Sequence, residues 1–380
     1  MDTRKHIDHY DTLRVMAMVA VVAIHIATPT LKMAFKAGNL SADWYTGDIY
    51  LAMTRFAVTM FLMLTGATML GREHKYKDFI KKRLTRIFIP FLVFSIGYIV
   101  FKLHFDRPQP HMENLSGLLG WVGDKYMECG LSQHFWYVYM LLVLYPIIPP
   151  VQRLISMDNR HRGLDIVLGV WAVYLVLFHS SPLSQFAPPA PEAISKSNIL
   201  TTTGLIYLGC RIGTYLIFFG YMLLGYRLST LLNGMEKRDL RKWKVMAAVV
   251  YAASVAFCAV GCARMSAVGK LNMGALGYMH INTMMQTIAV FVMVADTDIS
   301  KAQSKAGRAI RSIRNSISEC SYGIYLLHIM IISALWSMKI YWRICAPVIS
   351  FPLLTLVVTL ISWAMIYAIR KIPGGKYITG

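Results

Sequence analysis

A chain of 380 residues in which 56% are hydrophobic and 15% charged, with a mean hydropathy of +0.49, has more apolar surface than a water-soluble globule can hide. Its formal charge of +20 is divided among short segments rather than gathered on one domain, which argues against nucleic-acid binding and for a membrane topology signal. The six cysteines form no CxxC pattern, no metal is expected, and no P-loop, Gly-rich dinucleotide turn or GxSxG elbow is present.

Crossing a hydrocarbon core of about 30 Å takes about 20 apolar residues. Runs of that kind fall at 12–29, 47–70, 86–105, 134–150, 163–180, 203–229, 244–263, 274–296, 317–338 and 346–369. Most of the 39 basic residues fall in the alternate connections, among them Lys81 to Arg86, Arg238 to Lys244 and Lys305 to Arg314. Cytoplasmic loops are rich in Lys and Arg. The expected fold is therefore all-α: a polytopic transmembrane helical bundle of about ten spans, with both termini cytoplasmic. One integral-membrane domain is expected over residues 1–380, because the connections, the longest being 106–133, leave no room for a soluble domain. The first span has a basic start like a signal peptide, but Asp11, Arg14 and His25 suit a cleaved leader poorly.

Ionisable groups inside a span are costly, so each marks a site, a structural pair or a misdrawn boundary. In the first span, the eleven residues from Arg14 to His25 make three helical turns plus about 20°, so the two share a face about 16 Å apart along the axis. Asp11 stands one turn before Arg14 and is its natural partner. In the second span Arg55 follows Asp48 by seven residues, and a cation at that depth suits an oxyanion. The segment KYKDFIKKRLTRIFIP places Arg83 and Arg86 at i,i+3 beside Lys82, an arrangement fit for bidentate phosphate binding or for anionic lipid headgroups. Arg211 interrupts the sixth span and His280 opens the eighth. In the ninth, Ser321, Tyr325 and His328 form a polar stripe, with Glu319 off it and nearer the inner surface.

Together these pieces resemble the integral-membrane acyltransferase family 3, bacterial O-acyltransferases of surface polysaccharides. The first span, YDTLRVMAMVAVVAIHIA, is similar to that family's entry helix with its Arg-x10-His element, here Arg14 and His25 with Asp11. RFAVTMFLMLTG resembles its arginine, V-P-x-F-F and S-G pattern, with Thr59 where proline is usual and Thr65 where serine is usual. KKRLTRIFIP is similar to its R-x-x-R segment, HFWYVYMLLVLYPIIP to its H-x-W-[FY] segment, and SYGIYLLHIMII to its S-Y-x-I-Y-L-x-H element. The order of the five covers essentially the whole chain. Stand-alone members, such as those that O-acetylate an enterobacterial common antigen, look most alike.

The resemblance implies a multi-pass protein of the bacterial cytoplasmic membrane that uses acetyl-CoA as co-substrate. It implies transfer of an acetyl or other short acyl group to a hydroxyl of a surface or polyprenyl-linked glycan at the extracytoplasmic face, with membrane lipids around it. On that reading Arg83, Arg86 and Lys82, helped by Arg14, hold the CoA phosphates. His25 either takes the hydroxyl proton or accepts the acetyl group itself; Asp11 orients Arg14, and Arg55 stabilises the oxyanion. His134, Trp136, Tyr137, Tyr325, His328 and Arg211 are expected on the acceptor side, Trp136 and Tyr137 by stacking on a sugar ring. The competing class is a polysaccharide exporter or lipid-linked sugar flippase, which also suits buried Arg and His. Against it, the Asp-Arg-His arrangement has no counterpart in a second half of the chain.

Overall fold

The computed structural model describes residues 7–38, 40–72, 75–105, 114–127, 131–158, 160–179, 202–267, 269–298 and 304–380, without the side chains of 105, 115, 124–127, 202–208, 210 and 211. Among them every regular element is helical. The helices are α1 (Asp8–Gly38), α2 (Ala42–Thr54), α3 (Phe56–Met69), α4 (Tyr76–Phe105), α5 (Leu115–Met127), α6 (Trp136–Leu144) and α7 (Ile148–Met157). They continue with α8 (Arg162–His179), α9 (Thr202–Asn233), α10 (Lys237–Ser266), α11 (Ile281–Val294), α12 (Lys305–Ser337), α13 (Pro347–Lys371) and α14 (Gly375–Thr379).

Local chemistry sets several boundaries. Ser41 caps α2 by accepting from the Trp44 amide at 3.2 Å, and Ser304 caps α12 by accepting from the Gly307 amide at 3.0 Å. The run 134–150 is divided between α6 and α7 by a 3-10 turn at Tyr145–Ile147, where Pro146 offers no amide to the ladder. The α2 and α3 helices are nearly continuous, broken only at Arg55.

Nine helices or helix pairs among the described residues are long and apolar enough to cross a membrane. They match nine of the ten predicted runs. The exception is 274–296, where α11 has 14 residues, about 21 Å, and is preceded by a 3-10 turn at Gly274–Leu276. Its polar stripe explains why it sits inside protein rather than lipid. Gln286 donates to the Ala52 carbonyl at 2.8 Å, Thr287 and Thr59 share a hydrogen bond of 2.7 Å, and Asn282 donates to Cys258 Sγ at 2.8 Å. The loop expected at 106–133 contains α5.

Burial sorts the bundle into centre and rim. The α2–α3 span is 72% buried across its apolar window, whereas α8 is 11% buried and turns its valines outward. The α1 helix runs through the centre against α2, α3, α12 and α13. It lies parallel to α12, because Asp8 meets Arg314, Asp11 meets Ser318 and His25 meets His328 in the same order. The tightest helix contact is α3 on α9. A Cβ on Gly66 would lie 1.8 Å from the Met222 carbonyl oxygen, and one on Gly225 would lie 2.1 Å from that of Met63. Paired small residues let two backbones approach where lipid supplies no hydrophobic drive.

The basic segments meet at one end of the bundle. There Arg314 grips Asp8 with Nη1 at 2.6 Å and Nη2 at 2.5 Å, Arg227 holds Asp165 at 2.6 and 2.8 Å, and Arg370 lies 4.0 Å from Glu319.

Candidate active site

At this basic end a cavity of about 390 Å3 opens between α1, α3, α4, α6 and α12. Three cations line it: Arg14 from α1 and Arg83 and Arg86 from α4. Arg14 is fixed before any ligand arrives. Its Nη1 donates to Asp11 Oδ1 at 2.8 Å and to Ser318 Oγ at 2.9 Å, and the Ser318 hydroxyl donates to Asp11 at 2.6 Å. Asp11 is therefore paired with Arg14, the partner its spacing offered. Ser318, from α12, closes the triangle. Lys82 is exposed and is not part of the cavity wall.

Aromatic rings form part of the cavity wall. Tyr137 and Tyr325 both line it, and their ring centroids stand 5.6 Å apart. Tyr325 donates its hydroxyl to the His134 carbonyl. Its ring lies 5.2 Å from that of His134 and 5.9 Å from that of His328.

Beyond the tyrosines three histidines from three helical segments meet. Ring centroids of His25 and His328 are 5.1 Å apart, those of His134 and His328 5.1 Å, and those of His25 and His134 6.1 Å. Ten residues separate Ser318 from His328, about 15 Å on a helix. Thus α1 and α12 independently put the same depth between the arginine end and the histidine cluster. His134 and His328 are 2% and 0% exposed. His25 is the least buried residue of the three. Among the described residues no three His, Cys, Asp or Glu are arranged to hold a metal ion.

The remaining expected residues divide. Arg55 is 6% exposed, donates Nη1 to the Leu276 carbonyl at 3.0 Å and stacks over Tyr278 at 4.8 Å. Trp136 packs against Phe218 and Tyr278, at 5.6 and 6.0 Å, on the same side as Arg55. Tyr137 is placed differently from Trp136: it faces the basic cavity, because consecutive helical residues point about 100° apart. Ser321 and Tyr325 share the cavity wall, but so does Glu319, which the stripe argument had left aside, and His328 lies past the wall in the histidine cluster. Arg211 is on α9, and its side chain lies outside the described residues.

A family model described as an acyltransferase domain, that of acyltransferase family 3, matches residues 7–367. The chain belongs to this family. Searches of curated proteins and of solved structures give no match. With nine apolar helices of spanning length among its described residues, this family member is a multi-pass membrane acyltransferase. Sequence reasoning missed Ser318 as a partner of Arg14 and missed the meeting of the three histidines. The signal for the histidines was present, as His134 and His328 each head or end a family-like motif, but nothing in the spacing connects them.

Proposed function

We propose that this acyltransferase moves an acetyl or other short acyl group from acyl-CoA, entering at the basic end, to a hydroxyl of a surface or polyprenyl-linked glycan at the opposite face of a bacterial cytoplasmic membrane. The observation that carries this reading is the single face of α1. Arg14 lines a cavity with Arg83 and Arg86, and His25 stands about 16 Å further along the same helix. Guanidinium groups bind phosphate oxygens through charge-assisted hydrogen bonds. They hold the nucleotide end of the donor where water and counter-ions are plentiful. The pantetheine arm then points along α1 past Tyr137 and Tyr325.

His25 acts as general base, taking the proton of the glycan hydroxyl as it attacks the thioester carbonyl. Arg55, a buried cation in the second span, stabilises the oxyanion that develops. Trp136, near Arg55 on the far side of the tyrosines, offers an aromatic face to the acceptor.

Two measurements test the reading. Acetyl-CoA added to the detergent-solubilised protein raises its melting temperature, as a ligand of the folded state must, and Arg83→Ala with Arg86→Ala removes the rise. Membranes containing the protein transfer label from acetyl-CoA to the polysaccharide fraction. An unchanged melting temperature together with absent transfer defeats the proposal and leaves an exporter in its place.

A further inference from the structure

The least exposed ring of the histidine cluster is held in one tautomer. His328 Nδ1 lies 2.6 Å from the Tyr325 carbonyl oxygen and 3.2 Å from that of Ile324. Carbonyl oxygens only accept, so Nδ1 carries the hydrogen and the neutral ring presents a lone pair at Nε2. That nitrogen is buried, and it has no hydrogen-bond partner among the described residues. Buried polar atoms are normally paired, and an open one in a native site calls for a reason. The ring of His25 stands 5.1 Å from that of His328, centroid to centroid, at an interplanar angle of 51°.

We propose that His328 is the positioning partner of His25: its Nε2 accepts the ring N–H of His25, so that the other nitrogen of His25 faces the acceptor hydroxyl with its lone pair free. The inference rests on His25 being the base, and it assigns His328 to that reaction rather than to sugar binding. In hydrolytic triads a carboxylate orients the catalytic imidazole and stabilises the imidazolium. A carboxylate at this depth would carry a large desolvation cost, whereas a neutral imidazole of fixed tautomer supplies the same acceptor without a charge. Asp11 is unable to serve, since fourteen residues put it about 21 Å from His25 along α1. The Nδ1 of His134 lies 2.9 Å from the Ser132 hydroxyl, and its ring stands 5.1 Å from that of His328.

The chemistry balances on the two imidazoles alone. The hydroxyl oxygen bonds to the thioester carbonyl carbon as its proton passes to His25. The resulting imidazolium is stabilised by its second N–H, held on His328. Collapse of the tetrahedral intermediate breaks the carbon–sulfur bond, and the proton on His25 goes to the departing sulfur. The products are an ester and the CoA thiol, with both histidines returned to their starting state.

The test uses full-length protein in membranes, labelled acetyl-CoA and the label recovered in the polysaccharide fraction. In His328→Asn the amide nitrogen can still donate to the Tyr325 carbonyl, but nothing remains at the place of Nε2. In His328→Gln an amide oxygen reaches that place and can accept. The expected result for His328→Asn is a loss of about 100-fold in the saturated rate, at the low end of what a positioned proton acceptor supplies, with the KM for acetyl-CoA within about twofold of the parent. His328→Gln should recover about tenfold of that loss. A saturated rate for His328→Asn within about threefold of the parent overturns the proposal, as does an equal loss in both variants. A loss that appears instead in KM, or in the melting-temperature rise with acetyl-CoA, also overturns it, because His328 would then be structural. His25→Ala separates the two levels. Retained activity in that variant removes the base itself, whereas an inactive His25→Ala beside an unaffected His328→Asn removes only the partnership.

Discussion

The two ends of the Arg14–His25 face are opposite kinds of environment. At the basic end, charge stands in an open cavity of about 390 Å3, and Arg14 is held by a carboxylate and a hydroxyl. About 16 Å along the same helix, three imidazole rings pack together, and among the described residues no carboxylate is bonded to His25. The difference separates two tasks that one protein must combine. Phosphates need cations and tolerate water, while acyl transfer to a sugar hydroxyl requires that water be kept from the thioester. Tyr137 and Tyr325, 5.6 Å apart, stand at the border. Changes on the arginine side should therefore move KM, and changes on the histidine side should move the saturated rate.

The hardest blow to that division comes from His25→Ala. Loss of a general base costs about 10²- to 10⁴-fold in rate, and the saturated rate of labelled acetyl transfer should fall by that much. The melting-temperature rise with acetyl-CoA should survive, since the base does not touch the phosphates. A loss of donor binding in this variant would merge the two environments into one. The paired change Arg83→Ala, Arg86→Ala is the mirror experiment. Hydrogen bonds to charged groups contribute about 1.5–3 kcal/mol each, so the KM for acetyl-CoA should rise by about 100-fold or more while the saturated rate stays within a few fold.

What the sequence made legible follows from what is local. Helix periodicity relates residues within one segment, so the Arg14–His25 face, the Asp11–Arg14 pair and the i,i+3 arginines could all be read from spacing and are found as read. Ser318 lies 307 residues after Asp11, and only packing of α12 along α1 brings the two together at 2.6 Å. The histidine cluster is invisible for the same reason: His25, His134 and His328 belong to α1, the turn before α6, and α12. Hydropathy has a different blind spot. It counts apolar residues without seeing where the helix starts and stops: 274–296 reads as one apolar run, and its α-helix covers 14 residues of it. Asn282, Thr283, Gln286 and Thr287, all buried, were the available sign that this stretch is enclosed by protein. In α5 the opposite happened, a helix of 13 residues falling below the length that a span search recognises.

Ser318 permits a finer cut within the basic end. In Ser318→Ala, Arg14 keeps its ion pair with Asp11 but loses one of two anchoring contacts, and Asp11 loses a donor. One hydrogen bond contributes about 1 kcal/mol, which predicts a KM for acetyl-CoA raised about fivefold with no change in the saturated rate. A variant with unchanged KM would show that Asp11 alone sets the arginine.

Lys82→Ala should do least, and the reason sharpens the contrast between charge and geometry. Lys82 is adjacent to Arg83 in sequence and equal to it in sign, so a purely electrostatic account of donor binding would assign the two comparable effects. On α4, however, consecutive residues point about 100° apart, and Lys82 is exposed to solvent while Arg83 and Arg86 face the cavity. An exposed ammonium outside the cavity acts through solvent, where salt screens it. The KM for acetyl-CoA in Lys82→Ala should stay within about twofold of the parent at 0.15 M salt and rise only at low salt. An effect at physiological salt as large as that of Arg83→Ala would mean that the donor is gathered by the basic surface as a whole and that the cavity does not select it.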